Sequence, residues 1–136
     1  MGKHDSSEPA VLLQDLDYFT GSDLKTETTM KDNLGNTQYN CFYVKSATNV
    51  YKLNGQYTKM SGTLFQLYDY RSKSSYESTV EIYGDGKLLY TATVSGGIEP
   101  IDFSVDLTGV LELTVKTGRS TQWGENSGGL HCGLYT

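Results

Sequence analysis

The chain has 136 residues and a formal net charge of −5 at pH 7, and 37% of its residues are hydrophobic. This length and composition are typical of one globular domain and exclude a disordered chain. Because the 11 Lys and Arg residues are scattered, we expect no nucleic-acid partner, and the lack of a long apolar run argues against membrane insertion.

The first ten residues are polar and contain no apolar signal-peptide region. One interpretation is a cytoplasmic protein. We favour another, in which residues 1–10 are a polar tail derived from cloning and residues 11–136 are a domain taken from a longer secreted protein. The strand-like residues 130–135 at the end of the chain favour this second interpretation.

Apolar and polar residues alternate along much of the chain, which is the pattern of strands with one buried face. The pattern predicts strands near residues 11–19, 38–44, 48–53, 56–67, 78–83, 87–94, 101–107, 110–117 and 130–135. The side chains expected in the core are Val80, Ile82, Ile101, Phe103, Val105, Leu107, Leu111, Leu113 and Val115.

Glycine-containing pairs predict tight turns between these strands. Asn54-Gly55 and residues 84–86 each indicate a hairpin, and Thr108-Gly109 indicates a further turn. The adjacent residues Leu64 and Phe65 interrupt the alternation, which predicts a β-bulge.

No segment shows a helical apolar stripe, so the predicted fold is all-β, a two-sheet antiparallel β-sandwich. Three long connections remain, at residues 20–37, 68–77 and 118–129. Connections of this length often carry function.

The chain has two cysteines. Cys41 precedes the apolar Phe42 and should point away from the core, whereas Cys132 alternates with Leu130 and Leu134 and should point inward. Opposite faces argue against a disulfide bond, so two free thiols are expected.

The sequence contains no recognisable catalytic arrangement, and we expect no enzymatic activity. His4 and His131 have no second histidine at metal-binding spacing. His131 and Cys132 are neighbours on a strand and therefore project to opposite faces, so they cannot pair as base and nucleophile. Acidic pairs such as Asp15 and Asp17 are expected on a solvated face.

Two of the long connections carry side chains suited to sugar recognition. A pyranose ring is bound by an aromatic ring against its C–H face and by polar groups around its hydroxyl rim. Trp123 is the one tryptophan and lies between glycines, so it is either a stacking platform or a cap on the core. The predicted carbohydrate-binding residues are Trp123, Tyr70, Arg71, Gln122, Asn126 and Tyr68.

Three segments resemble the NPCBM family of carbohydrate-binding modules. Leu53, Gly55 and Tyr57 match a Leu-x-Gly-x-Tyr turn, and residues 83–90 match a Tyr-Gly-Asp-Gly-Lys-x-Leu-Tyr hairpin. Residues 102–113 resemble the closing section of the family. The resemblance implies a jelly-roll sandwich that serves as a non-catalytic, monomeric glycan-binding module of a larger bacterial glycoside hydrolase or surface protein, outside the cell.

The resemblance also implies a structural calcium ion, for which Asp15, Asp17 and Asp69 are candidate ligands. Residues 129–135 depart from the family pattern, because many members carry an Asp-His-x-x-Trp segment there and this chain has no Trp at that place. An adhesion or spacer domain with the same fold, binding a protein or nothing, stays open as the alternative to a glycan-binding module.

Overall fold

The computed structural model describes residues 8–136, which fold into two antiparallel β-sheets packed face to face. The strands are β1 (Val11–Leu12), β2 (Thr26–Lys31), β3 (Thr37–Tyr43), β4 (Ala47–Lys52), β5 (Lys59–Gln66), β6 (Glu77–Gly84), β7 (Lys87–Val94), β8 (Ile101–Asp106), β9 (Glu112–Ser120) and β10 (Gly128–Tyr135). Short 3₁₀ helices span Leu13–Asp15, Tyr68–Tyr70 and Gln122–Gly124. The prediction of an all-β sandwich of jelly-roll type is confirmed.

The first sheet has the order β2-β3-β10-β5-β8, with β1 also paired to β10, and the second has the order β4-β9-β6-β7. No helix within residues 8–136 is long and apolar enough to cross a membrane. Residues 1–7, including His4, lie outside the described part of the chain, as does most of the predicted tail 1–10.

Strand β2 was missed by the sequence analysis, which placed it in the connection 20–37. Five of its six side chains are exposed and Met30 alone is buried, so an alternating apolar pattern is not present to find. The predicted strand 11–19 was too long, because β1 ends at Leu12 and the 3₁₀ helix follows at once.

The predicted bulge in β5 is wrong. Its register with β10 runs without a break from Gly128 opposite Gln66 to Tyr135 opposite Lys59. Leu64 and Phe65 are both buried because Leu64 enters the main core, while Phe65 packs with Met30 and Cys41 in a second cluster. The register shift lies instead between Ile82 and Tyr83, where β6 pairs with β7.

The predicted turns form, but two of them do not make hairpins. Residues 84–86 join the paired strands β6 and β7 as predicted, with Asp85 and Gly86 at positive φ. Asn54-Gly55 adopts φ values of 54° and 74°, yet it joins β4 to β5 in opposite sheets. Thr108-Gly109 likewise carries the chain from β8 in one sheet to β9 in the other.

The core matches the prediction at most positions. Val80, Ile82, Phe103, Val105, Leu107, Leu113 and Val115 are buried, and Ile101 is partly buried against them. Leu111 is 59% exposed, contrary to the prediction. It precedes the first residue of β9, so the strand alternation does not extend to it, and Val110 is buried there instead.

Both thiols are free and fully buried, which confirms the absence of a disulfide bond between them. Cys132 belongs to the main core as predicted, and Cys41 belongs to the second cluster, where Met30 and Phe65 are its buried neighbours. The prediction that Cys41 points away from the main core therefore holds, but it does not face solvent. Burial raises the pKa of the Cys41 thiol from 9.0 to about 12 and raises that of Cys132 as well.

We expect neither thiol to react with a disulfide-exchange reagent at pH 8 while the protein is folded, because both are buried and protonated. Both should react at once in denaturant. Burial of the protonated thiols also contributes to stability, because their folded-state pKa values are raised. For Cys41 this contribution is complete below pH 9.0 and is lost as the pH rises toward its folded-state pKa of about 12. Rapid labelling of a thiol in the folded protein would contradict the burial.

A second prediction concerns Gly62, which lies opposite Cys132 on β10 and Phe103 on β8. A Cβ at Gly62 would lie 2.6 Å from the Cys132 Cβ and would also clash with the His131 carbonyl. Gly62→Ala should therefore lower the free energy of unfolding by about 1–3 kcal/mol. Gly118→Ala on β9 is the matched control, because a Cβ there meets nothing within 4 Å.

The two variants are compared by urea unfolding. Gly118→Ala should be neutral or stabilising by about 0.5 kcal/mol, because alanine loses less backbone entropy on folding. Equal effects at both positions would show that β5 and β10 do not pack as closely as described.

Candidate functional site

Connections from both sheets gather at one end of the sandwich. Asn33, in the β2–β3 turn, donates from Nδ2 to the carbonyls of Gly96 and Ile98 at 3.0 and 2.7 Å. The N–H of Gly96 donates to the Lys73 carbonyl at 3.2 Å, and the N–H of Leu67 donates to the Ser127 carbonyl at 2.8 Å. The Asn33 side chain and two backbone hydrogen bonds thus join the connections after β2, β5, β7 and β9.

The side chain of Gln66, which is fully buried, holds the connection after β5 in place. Its Nε2 group lies 3.3 Å from the Tyr70 carbonyl and 3.4 Å from the Tyr76 carbonyl. One side chain at the end of β5 therefore holds both ends of the tyrosine-containing loop. Ser78 and Ser127 are also fully buried in this region.

Tyr68 and Arg71 form the first group of predicted site residues. The Arg71 guanidinium lies 3.8 Å from the centroid of the Tyr68 ring, and its Nη1 donates to the Tyr68 carbonyl at 2.8 Å. The Lys31 ammonium lies 5.4 Å from the same centroid. The Tyr68 ring consequently faces β2 and has two cations beside it.

Tyr70 belongs to a different group, on the side of the connection 121–127. Its ring lies 5.8 Å from that of Tyr76, whose hydroxyl donates to Glu125 Oε1 at 3.1 Å. Burial, and then the nearby Glu125 carboxylate, raise the pKa of both tyrosines above the usual 10.0. The two loops of the predicted site do meet, and Tyr70, Tyr76 and Glu125 form the junction.

Trp123 is 88% exposed, so it does not cap the core. It lies in the 3₁₀ turn Gln122–Gly124 with φ 58° and ψ 22°, a left-handed conformation that is unfavourable for a bulky residue. Thr121 Oγ1 donates to the Glu125 carbonyl at 2.8 Å, and the Glu125 N–H donates to the Gln122 carbonyl at 3.3 Å. These bonds close the turn and hold the indole away from the sandwich.

The two predicted amide side chains are held differently. Asn126 accepts a hydrogen bond at Oδ1 from Arg119 Nη1, which fixes its orientation. Gln122 is exposed and lines a shallow cleft of about 350 Å³ with Tyr76 and Thr121.

The six predicted residues therefore do not surround one pocket. Tyr68 and Arg71 face β2, while Tyr70 packs against Tyr76 on the other side of the same short 3₁₀ helix. A cleft of about 370 Å³ beside Tyr68 also involves Lys31 and Tyr43. Sequence reasoning missed Lys31 because β2 was taken for a loop, although its threonines are typical of a strand. It placed Tyr43 in the predicted strand 38–44 but did not select it as a site residue.

The three calcium candidates do not converge. Asp15 and Asp17 line a cleft of about 630 Å³ near the N-terminal 3₁₀ helix, whereas Asp69 lines the cleft beside Tyr68. Within residues 8–136, no group of three or more His, Cys, Asp or Glu residues could hold a metal ion. These residues do not fit a calcium site, and calcium binding stays an untested prediction.

The pair His131 and Cys132 is separated as predicted from strand geometry. His131 Nδ1 lies 3.1 Å from the Asn40 carbonyl, and the ring is only partly buried. Cys132 is in the main core. The imidazole therefore cannot activate this thiol.

A family sequence model for the NPCBM/NEW2 domain matches residues 33–129, well over half of the chain. The chain belongs to the NPCBM/NEW2 domain family. The match includes the connections of the candidate site and ends at Gly129 in β10. No protein of curated function matches the sequence significantly.

Solved structures share the fold of this NPCBM/NEW2 domain. The CBM51 of Clostridium perfringens GH95 in complex with methyl-galactose matches with a TM-score of 0.65 and 13% identity over 91% of this chain and 97% of its own. Clostridium perfringens ZmpB, solved as an M60 catalytic domain with two CBM51 domains, matches with a TM-score of 0.69 and 11% identity over 91% of this chain.

Tandem CBM51 modules of the family 98 glycoside hydrolase from Streptococcus pneumoniae match with a TM-score of 0.64 and 13% identity over 91% of this chain and 47% of theirs. The chain spans 15% of the length of the ZmpB structure. At these identities the likeness shows a common fold.

The junction between the two loops makes a testable prediction. Tyr76→Phe removes the hydroxyl that donates to Glu125 across the junction, and should lower the melting temperature by roughly 3 °C. Tyr18→Phe is the control, because it removes a 3.1 Å bond of the same type to Asp23 at an exposed position. That variant should melt within about 1 °C of wild type.

The difference in melting temperature between Tyr76→Phe and wild type should also depend on pH. The pKa of Tyr76 is raised in the folded state, so its contribution is complete below pH 10.0 and is lost at higher pH. Thermal melts at neutral pH and above pH 10 test this, and an unchanged difference would argue against the Tyr76–Glu125 bond.

Proposed function

We propose that this NPCBM/NEW2 domain is a non-catalytic carbohydrate-binding module whose ligand stacks on Trp123. The observation that carries the proposal is the position of the one tryptophan, 88% exposed on a hydrogen-bonded turn with a left-handed backbone. Exposure of so large an apolar surface favours a binding role. A backbone conformation that costs free energy is retained most often where the side chain has a function.

The surroundings of Trp123 provide the other parts of a sugar site. An indole face packs against the C–H groups of a pyranose, and polar side chains then bind its hydroxyls. Gln122 precedes Trp123 in the same turn, and Asn126 follows the turn by two residues. The Tyr76 hydroxyl donates to Glu125, the residue directly after the turn, and the Tyr70 ring lies beside that of Tyr76. Gln122 offers both a donor and an acceptor, as does the amide of Asn126 beyond its bond to Arg119.

Similar modules occur as parts of larger proteins. The similar structures from Clostridium perfringens and Streptococcus pneumoniae carry CBM51 modules beside a catalytic domain or within a glycoside hydrolase. By analogy, we propose that this domain belongs to a longer, secreted bacterial protein that acts on glycans or is displayed at the cell surface. Its role there is to hold the protein on its glycan substrate.

A site of this kind should bind weakly. One exposed platform contacts one or two sugar rings and desolvates few atoms, so the dissociation constant should be about 10 μM to 1 mM. Tight attachment would then require several modules or a repetitive ligand.

The test is titration calorimetry with galactose-, glucose- and N-acetylglucosamine-type oligosaccharides, chosen by an initial glycan-array screen. Trp123→Ala should weaken binding at least tenfold, because the stacking surface is lost. Phe19→Ala is the matched control, since Phe19 is also an exposed aromatic residue (64%) but lies in the segment between β1 and β2.

Equal binding by wild type and Trp123→Ala would place the site elsewhere. No binding of any glycan by wild type at millimolar concentration would favour an adhesion or spacer domain with the same fold.

A further inference from the structure

We propose that the cleft between β2 and the Tyr68 loop binds an acidic sugar residue, one that carries a carboxylate or a sulfate. This cleft, called the cationic cleft below, is lined by Thr29, Met30, Lys31, Tyr43, Leu67, Tyr68 and Asp69. The inference rests on the proposed carbohydrate-binding function and specifies the chemical class of one ligand group.

The shape and lining of the cationic cleft suit a single sugar ring. Its volume is about 370 Å³, which lies at the small end of the range for ligand sites. Tyr43 and Tyr68 are partly buried and line the cleft with aromatic surface, and Met30 and Leu67 add apolar surface. Aromatic and apolar walls of this kind accommodate the C–H face of a pyranose.

Three cations lie against the two tyrosine rings. Arg71 and Lys31 lie 3.8 and 5.4 Å from the centroid of Tyr68, and Lys25 lies 5.3 Å from that of Tyr43. Within residues 8–136, none of these three cations forms a salt bridge, whereas Lys52 pairs with Glu112. Arg71 Nη1 is bonded to the Tyr68 carbonyl, so the other N–H groups of Arg71 and the ammonium groups of Lys31 and Lys25 are the donors that could meet an acidic ligand.

Carboxylates also lie near the cleft. Asp69 lines the cleft and is exposed. Glu27 lies near Tyr43: burial is the main cause of the raised pKa of the Tyr43 hydroxyl, and the Glu27 carboxylate raises it further.

Lys31 lines the cleft, whereas Arg71 and Lys25 lie beside the tyrosines that line it. A third carboxylate, that of Asp32, follows Lys31 in the chain and already accepts hydrogen bonds from Leu34, Asn36 and Gln38. The three cations have no salt bridge among residues 8–136, in a chain whose net charge is −5.

This contrast favours an isolated acidic sugar over a polyanion. A guanidinium beside a ring can form two parallel hydrogen bonds to a carboxylate or a sulfate. A densely charged polymer such as nucleic acid would be repelled by the net negative charge of the domain. A single acidic group in the cleft meets mainly the local field of Lys31, Arg71 and Lys25.

The experiment uses titration calorimetry with three probes: an oligogalacturonate trimer, the neutral galactose trimer with the same linkage, and galactose 6-sulfate. We expect the acidic trimer to bind wild type about tenfold more tightly than the neutral one. Raising NaCl from 50 to 500 mM should weaken the acidic trimer severalfold and leave the neutral trimer unchanged. Binding of galactose 6-sulfate as well indicates recognition of charge, and binding of the galacturonate alone indicates recognition of the carboxylate. Either result supports the proposal.

Lys31→Met and Arg71→Met should each weaken the acidic trimer at least fivefold and should weaken the neutral trimer by a clearly smaller factor. Lys87→Met, an exposed lysine at the start of β7, is the matched control and should have no effect. Equal affinity for acidic and neutral trimers, or an equal loss in the Lys87 variant, would overturn the inference. Preferential binding of the neutral trimer would also overturn it but leave the proposed function intact, whereas binding of no glycan would remove both.

Discussion

The architecture depends on β5, a strand that is paired along both edges and buried on both faces. It pairs with β10 and β8 in unbroken register. Leu64 projects into the main core, and Phe65 projects from the opposite face of the same sheet into the second cluster, with Met30 of β2 and Cys41 of β3. Gly62 and Gly129 permit the close packing, because a Cβ at either would overlap neighbouring side chains. Directly after β5, the Leu67 N–H donates to the Ser127 carbonyl, which ties the loop after β5 to the connection before β10.

Gln66, the last residue of β5, carries this order into the loops. It contacts the carbonyls of both Tyr70 and Tyr76 while fully buried. The Tyr76–Glu125 bond then links that loop to the turn that presents Trp123. A rigid strand, a buried amide and a loop-to-loop bond thus support an exposed indole in an unfavourable backbone conformation, which a flexible loop would not maintain.

The two sides of the Tyr68–Tyr70 turn have different physical character. Tyr70 faces an acidic partner, Glu125, whereas Tyr68 faces Arg71 and Lys31. Residues two apart on a 3₁₀ turn point in different directions, so one short segment contributes to two surfaces. The two proposed binding surfaces therefore lie on different sides of this turn.

The sequence by itself determined the fold class, most core positions and the family, because strand alternation and glycine turns are local signals. Val80, Ile82 and Leu113 could be placed inside from their neighbours alone. Local signals could not show that Asn54-Gly55 joins different sheets, that Phe65 is buried in a second cluster, or that Leu111 lies outside β9. Nor could they separate Tyr68 from Tyr70 or bring Lys31 to the site, since these depend on how the β2–β3 hairpin packs against the loop after β5. Only the tertiary structure decided those contacts, because they join residues far apart in the chain.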